Sequence, residues 1–328
     1  MEGGADVKAI VIEATGGPEQ LDYREVPEPS PAAGELLDEV AAAGLNYIDT
    51  YQRIGLYPMQ FPFTPGLEGA GTVLEVGDDA AGFTVGDKVA WVSTLGSYAE
   101  RQVVPAGVAI PVPSSVPLET AAASMLQGIT AHYLATDTFA LQPGDRCLVH
   151  AGAGGVGLLL TQIAKRRGAM VITTVGSATK VETSREAGAD HVIVYTEVDF
   201  KDEVETLIGH HQLDVVYDGV GRATFEQGIE LLRPRGMMVT FGNASGPVPE
   251  ISPLLLSRKG SLYLTRPTMA HYTRTRDELM GRASDLFDWM AKGELRVLIG
   301  DRYPLEKAAD AHRALESRDT VGKILIVP

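Results

Sequence analysis

The chain has 328 residues, 45% of them hydrophobic and 22% charged, with a formal net charge of −15. That length can hold two domains with separate cores, and that charge argues against a nucleic-acid partner, because phosphate binding needs a cationic face. A single cysteine, Cys147, excludes an intramolecular disulfide and a thiolate zinc cage. No stretch approaches the roughly 18 apolar residues of a membrane helix and the N-terminus lacks a signal-peptide pattern, so a cytoplasmic protein with no membrane partner is expected.

In chain order, residues 7–12 and 35–40 are candidate strands, separated by a Pro-rich turn at 27–34. Residues 71–77 and 87–92 continue the pattern, and glycines at 66, 69, 71, 77, 82 and 86 punctuate it, which describes a compact barrel-like unit. Within this part, Asn46 and the tyrosines at 47, 51 and 57 surround what reads as a loop-to-helix junction. Asn46, Tyr51 and Tyr57 either line a pocket and hydrogen-bond a substrate carbonyl, or serve as a helix cap and packed rings; the residues alone leave both open.

Past Pro117, residues 118–126 and 129–138 read as two helices. From Arg146 short apolar strands (146–150, 170–175, 191–194, 213–218, 236–241 and 261–265) alternate with helical segments such as 178–187 and 223–231. That alternation predicts an α/β fold with a doubly wound parallel sheet. The tail breaks it: an amphipathic stretch at 275–292, a strand at 295–299, a helix at 305–317 and a strand at 323–327. A return of this tail to the first domain would make that domain discontinuous.

The segment His-Ala-Gly-Ala-Gly-Gly-Val-Gly at 150–157 stands between an apolar strand and a helix-like run. Gly152, Gly154 and Gly157 have GxGxxG spacing, which permits a sharp turn, close approach of backbone to a pyrophosphate and tight helix packing. Gly155 and Val156 complete the turn, and the helix start offers unpaired N–H groups to phosphates. A carboxylate ending the second strand would accept from a ribose 2′-OH and select NAD. Here Val175 is followed by Gly176 and Ser177, with Lys180 nearby and no carboxylate before Glu182, so the sequence favours NADPH. The plainer alternative makes Lys180 a solvated first-turn lysine.

Histidines at 132, 150, 191, 210, 211, 271 and 312 form no recognised ligand spacing, and a metal-free protein is expected. Cys147 reads as a small core residue, and the loose group Arg233, Arg235, Arg258 and Lys259 as solvated surface. No nucleophile elbow occurs, which suits hydride transfer, where the cofactor carries the chemistry.

The segments 43–49 (Ala-Gly-Leu-Asn-Tyr-Ile-Asp), 65–71, 85–89 and 153–157 resemble the medium-chain dehydrogenase/reductase superfamily. Within it the chain is similar to the zeta-crystallin-like NADPH:quinone oxidoreductases, with further matches at 215–221, 241–246 and 259–267. The resemblance implies a GroES-like β-barrel catalytic domain from residues 1–128 and 267–328, a Rossmann domain at 129–266, and an active site in the cleft between them. By motif position the catalytic zinc ligands of the zinc-dependent members fall on Asn46, Leu67 and Gln127, and none matches.

The resemblance further implies that Lys180, Tyr195 and Arg318 surround the adenosine 2′-phosphate. Asn46, Thr130, Phe241 and Asn243 would lie along the nicotinamide half, and Tyr51 and Tyr57 would border the substrate. The implied activity is metal-free reduction of a quinone by NADPH, with Asn46 and Tyr51 orienting or polarising its oxygens. Reduction of an activated C=C bond would use the same residues. An RNA- or protein-binding role is the alternative of another class, opposed for RNA by the net charge. A homodimer joined through residues 261–265 is also expected.

Overall fold

The computed structural model describes residues 6–328. Strands β1 (Asp6–Val11), β2 (Asp22–Pro27) and β3 (Glu35–Leu45) lead into helix α1 (Tyr47–Arg53), followed by β4 (Glu68–Val76), β5 (Lys88–Val92), β6 (Arg101–Pro105) and β7 (Ile110–Pro111). Helix α2 (Leu118–Tyr133) precedes β8 (Arg146–Val149), α3 (Gly155–Arg166), β9 (Met170–Val175), α4 (Val181–Glu186), β10 (His191–Val194) and α5 (Phe200–Ile208). Then come β11 (Leu213–Asp218), α6 (Phe225–Leu231), β12 (Leu232–Thr240), α7 (Leu254–Arg258) and β13 (Tyr263–Thr265). The remainder is α8 (Arg276–Ala291), β14 (Ile299–Pro304), α9 (Ala308–Ser317) and β15 (Lys323–Val327).

These elements form two compact units, one discontinuous (Met1–Ile129 with Thr273–Pro328) and one continuous (Thr130–Tyr272). The continuous unit is built on a six-stranded parallel sheet ordered β10-β9-β8-β11-β12-β13. Reading outward from β8, the chain winds first one way and then the other, the doubly wound arrangement whose ligands sit at the carboxyl ends of the strands. Strands buried on both faces must be apolar throughout. Cys147, Leu148 and Val149 are all 0% exposed, and Leu148 packs in one core with Ile172, Val216, Phe225 and Met238. Each such buried aliphatic side chain contributes about 1.5–3 kcal/mol relative to exposure.

The discontinuous unit holds a seven-stranded, mainly antiparallel sheet in which β15 pairs with β3, Ile324 opposite Leu45 and Ile326 opposite Ala43. The tail of the chain therefore completes the sheet that β3 begins, the discontinuous arrangement of the GroES-like domain. Ile324 and Ile326 join Ile10, Ile12 and Leu45 in one core, while Trp91 anchors another with Leu36, Val73 and Val104.

Three local expectations need correction. Residues 118–138 form one helix, α2, running into a π-helical turn at Leu134–Thr138, where two helices were expected. Gly128 is not a break: a Cβ there would stand 2.9 Å from Leu286 Cδ1, so it marks a close approach. The strand expected at 295–299 lies instead at Ile299–Pro304, a mostly exposed edge with no apolar signal. Finally, residues 267–272 cluster with the continuous unit, six residues past the expected boundary, because Tyr272 stacks on Tyr133 (4.3 Å between centroids) and receives a hydrogen bond from Thr138 Oγ1 at 2.9 Å. Among the described residues no helix is long and apolar enough to cross a membrane.

Candidate active site

In the continuous unit the glycine segment links β8 to α3. His150 N donates to Tyr217 O at 3.1 Å, its Nδ1 pairs with Thr174 Oγ1 at 2.9 Å, and burial lowers its pKa, which keeps it neutral. Ala151 then takes a left-handed backbone (φ 57°) and reverses the chain. The glycines are demanded by space. A Cβ on Gly152 would stand 2.4 Å from Thr173 Cβ, and one on Gly157 would stand 2.2 Å from Ala151 O. Gly154 is the N-cap of α3 and supplies no side-chain cap, and no acidic residue lies in the helix's first turn. The helix start at Gly155, Val156 and Gly157 is thus bare of side chains and of negative charge, which fits a pyrophosphate.

At the carboxyl end of β9, Gly176 is followed by Ser177, whose Oγ shares a hydrogen bond with Thr179 Oγ1 at 2.8 Å. Tyr195, 45% exposed at the end of β10, comes so close that a Cβ on Gly176 would stand 2.9 Å from its hydroxyl. Lys180 N donates to Ser177 O at 3.1 Å, so Gly176, Ser177, Lys180 and Tyr195 share one end of the sheet. No carboxylate ends β9, so the group that would select an unphosphorylated ribose is missing.

Phe241 and Asn243 follow β12 in a loop packed backbone-to-backbone on the loop after β11. A Cβ on Gly242 would fall 2.2 Å from Gly219 O. Asp218 Oδ1 accepts from Val220 N and Gly221 N at 2.7 and 2.9 Å and so shapes the neighbouring turn. Thr130, 7% exposed on α2, opens this unit. Arg318 belongs to the discontinuous unit, where it ends α9 with a left-handed backbone (φ 65°).

Also in the discontinuous unit, Asn46 caps α1 and is 4% exposed. Its Nδ2 donates to Gly44 O at 3.1 Å and to Glu68 Oε1 at 2.6 Å. Its Oδ1 accepts from Gln127 Nε2 at 3.1 Å and from the Lys323 ammonium at 2.9 Å. Two donors and two lone pairs are then engaged. All of the amide's hydrogen-bonding capacity is thus engaged within the protein. Lys323, which the sequence reading passed over, also pairs with Glu68, and both are buried. Its pKa is lowered by burial, against the pull of Glu68. Glu68 Oε2 accepts from Leu126 N at 2.7 Å, and Gly44 leaves room for the pair.

Asp49 Oδ2 accepts from Asn46 N at 2.8 Å and from Tyr98 Oη at 3.0 Å, and burial raises its pKa to about 7. Tyr51 is 7% exposed and meets Tyr57 edge to face, ring centroids 5.4 Å apart, while Tyr47 lies 6.2 Å from Tyr51. The three rings form an aromatic wall on α1 and the turn after it.

The donor set does not fit zinc. The positions that would ligate it carry two amides and a leucine, and the ammonium of Lys323 sits on the Asn46 oxygen. Among the described residues no cluster of three or more His, Cys, Asp or Glu has metal-holding geometry.

A bare glycine turn at the first strand–helix junction of a 3-2-1-4-5-6 sheet, in a chain that also folds a discontinuous β unit, defines a medium-chain dehydrogenase/reductase. Two family models match: "alcohol dehydrogenase GroES-like domain" over residues 32–114 and "zinc-binding dehydrogenase" over 155–289. A quinone oxidoreductase of Pseudomonas aeruginosa is 42% identical, covering 98% of this chain and 99% of its own. A 2-haloacrylate reductase of a Burkholderia species is 38% identical over 98% and 99%. The crystal structure of Escherichia coli quinone oxidoreductase complexed with NADPH superposes with a TM-score of 0.96 at 41% identity, covering 98% and 100%. The chain belongs to the zinc-free quinone oxidoreductase branch of the medium-chain dehydrogenase/reductases.

Proposed function

We propose that this chain is an NADPH-dependent quinone reductase that works without a metal. The observation that carries the proposal is the mismatch between its two halves. The dinucleotide cradle is intact, while the zinc positions hold Asn46, Leu67 and Gln127, with Asn46 bonded both to Gln127 and to Lys323. Bound in that cradle, NADPH would supply a hydride, which carries both electrons of the two-electron reduction.

The chain's own residues bind, orient and exclude water. Gly152, Gly154, Gly155, Val156 and Gly157 receive the pyrophosphate, and Ser177, Lys180 and Tyr195 take the 2′-phosphate side. Phe241, Asn243 and Thr130 flank the nicotinamide. Tyr51 and Tyr57 border the quinone, and Asn46 presents a rigid wall whose polar atoms are already engaged. Proximity and a dry site supply most of the rate for so willing an acceptor, and the one proton needed beyond the hydride comes from water or a tyrosine. The edge strand β13, with Tyr263 58% exposed, supports a homodimer, and the composition supports work in the cytoplasm.

Oxidation of NADPH with 1,4-benzoquinone, repeated with NADH and with a chelator, tests this. Chelator-resistant turnover selective for NADPH is expected. Tight NADPH binding without quinone turnover would overturn the quinone assignment. The likeness to a 2-haloacrylate reductase then favours the second reading, reduction of an activated C=C bond, which a comparison of a naphthoquinone with a 2-alkenal decides.

A further inference from the structure

Arg266, just past the end of β13, makes no part of the functional assignment so far. Its Nη1 donates to Gly242 O at 2.9 Å and to Thr240 Oγ1 at 3.2 Å. With the Asn243 amide oriented so that both its ends are satisfied, its oxygen accepts from Arg266 Nη2 at 3.0 Å and its nitrogen donates to Gly242 O at 3.0 Å. One guanidinium thus grips three residues, Thr240, Gly242 and Asn243, through two side chains and one carbonyl.

The other side of this loop rests on the loop after β11. Ala244 N and Ser245 N donate to Gly219 O and Val220 O at 3.3 and 2.8 Å, and Arg222 N donates to Gly246 O at 3.0 Å. Ser245 Oγ bridges Val220 O at 2.8 Å and Ala223 N at 3.0 Å. These bonds fix residues 244–246 on the loop after β11, while the flank at 240–243 is held on that side by Phe241 N donating to Asp218 O at 2.8 Å. Arg266 closes it laterally, and a planar fork with several fixed donors suits such a task where an ammonium does not.

We propose that Arg266 is a positioning residue that holds Phe241 and Asn243 in place against the nicotinamide. This rests on the functional reading above. The arginine acts through the loop and leaves the pyrophosphate cradle, on β8 and α3, untouched.

The test compares Arg266→Lys and Thr240→Val with the wild-type protein. The first keeps the charge and loses the fork; the second removes one acceptor and serves if the first fails to fold. In the cofactor-free protein, hydrogen exchange of the amides of 241–246 is expected to quicken in both variants, more in Arg266→Lys. With cofactor, Arg266→Lys is expected to lower kcat about tenfold or more, a size typical of a misplaced reacting group, while the Kd for NADPH shifts less than about threefold. Unchanged exchange, unchanged kcat, or a Kd that rises in step with the loss of kcat would each overturn the proposal. If the wild-type protein binds NADPH but reduces no quinone, the functional reading falls by itself. The clamp is then decided by exchange and by the emission of bound NADPH: a shift in Arg266→Lys supports it and no shift overturns it.

Discussion

Replacing Asp38 by asparagine is expected to stabilise the discontinuous unit, and to do so more at pH 8 than at pH 5. Asp38 lies on β3 between β4 and β6, opposite Val73 and Gln102. It is 0% exposed, and neither carboxyl oxygen has a hydrogen-bond partner. Gln102 Oε1, its cross-strand neighbour, is also buried and unpartnered, its Nε2 being directed to Thr94 O and Leu95 O. Burial raises the Asp38 pKa from 3.8 to about 7. Between those values the folded state keeps a proton that the unfolded state releases, so stability falls as pH rises through the window and levels off above it. At about 1.36 kcal/mol per pKa unit, the penalty is about 1.5 kcal/mol at pH 5 and on the order of 4 kcal/mol at pH 8.

Asparagine carries none of this penalty and can donate to Gln102 Oε1. Both tryptophans, Trp91 and Trp289, lie in this unit, so fluorescence-monitored unfolding reports on it without assuming that the whole chain melts in one step. A rise in midpoint of roughly 10 °C at pH 8 and clearly less at pH 5 is expected. An equal gain at both pH values, or a loss at pH 8, would refute the reasoning.

Three further outcomes follow from the same geometry. Lys323→Met leaves Glu68 buried without its counter-charge and is expected to destabilise by about 3–5 kcal/mol; adding Glu68→Gln should recover most of it, as urea unfolding of both variants would show. Gly152→Ala forces a Cβ to within 2.4 Å of Thr173 Cβ, so a loss of about 1–3 kcal/mol together with weakened NADPH binding is expected in melting and titration experiments. Lys180→Ala removes the cation proposed for the 2′-phosphate, so the preference for NADPH over NADH, measured as a ratio of kcat/KM values, should fall about tenfold.

How far the sequence could be read depended on the range of the interactions. The central strands of the parallel sheet announced themselves because both faces are buried; β9 and β11 have the very limits their apolar runs suggest, as does the half-buried edge strand β10. The glycine turn was legible because its geometry is local to eight residues. The short or exposed strands β2, β6, β7 and β14 carry no such pattern. A register shift between Leu37 and Asp38 leaves Leu36, Leu37 and Asp38 all buried, so alternation along β3 could not place the aspartate. The cluster at Asn46 was hidden for another reason. It draws on β3, β4, α2 and β15, and nothing near Asn46 in sequence tells that its amide is fully engaged. The single local hint was a lysine heading the otherwise apolar run of β15.

The placement of β15 beside β3 also sets an order of events during synthesis. Asn46 and Glu68 emerge from the ribosome 277 and 255 residues ahead of the lysine that will meet them. The continuous unit, Thr130–Tyr272, is made in that interval and has its own core to fold around. Until Lys323 arrives, β3 lacks one neighbour and a carboxylate destined for the interior has no cation. Translation speed over the stretch after Tyr272 therefore governs how long an unfinished sheet edge stays open to chaperones, proteases and other nascent chains.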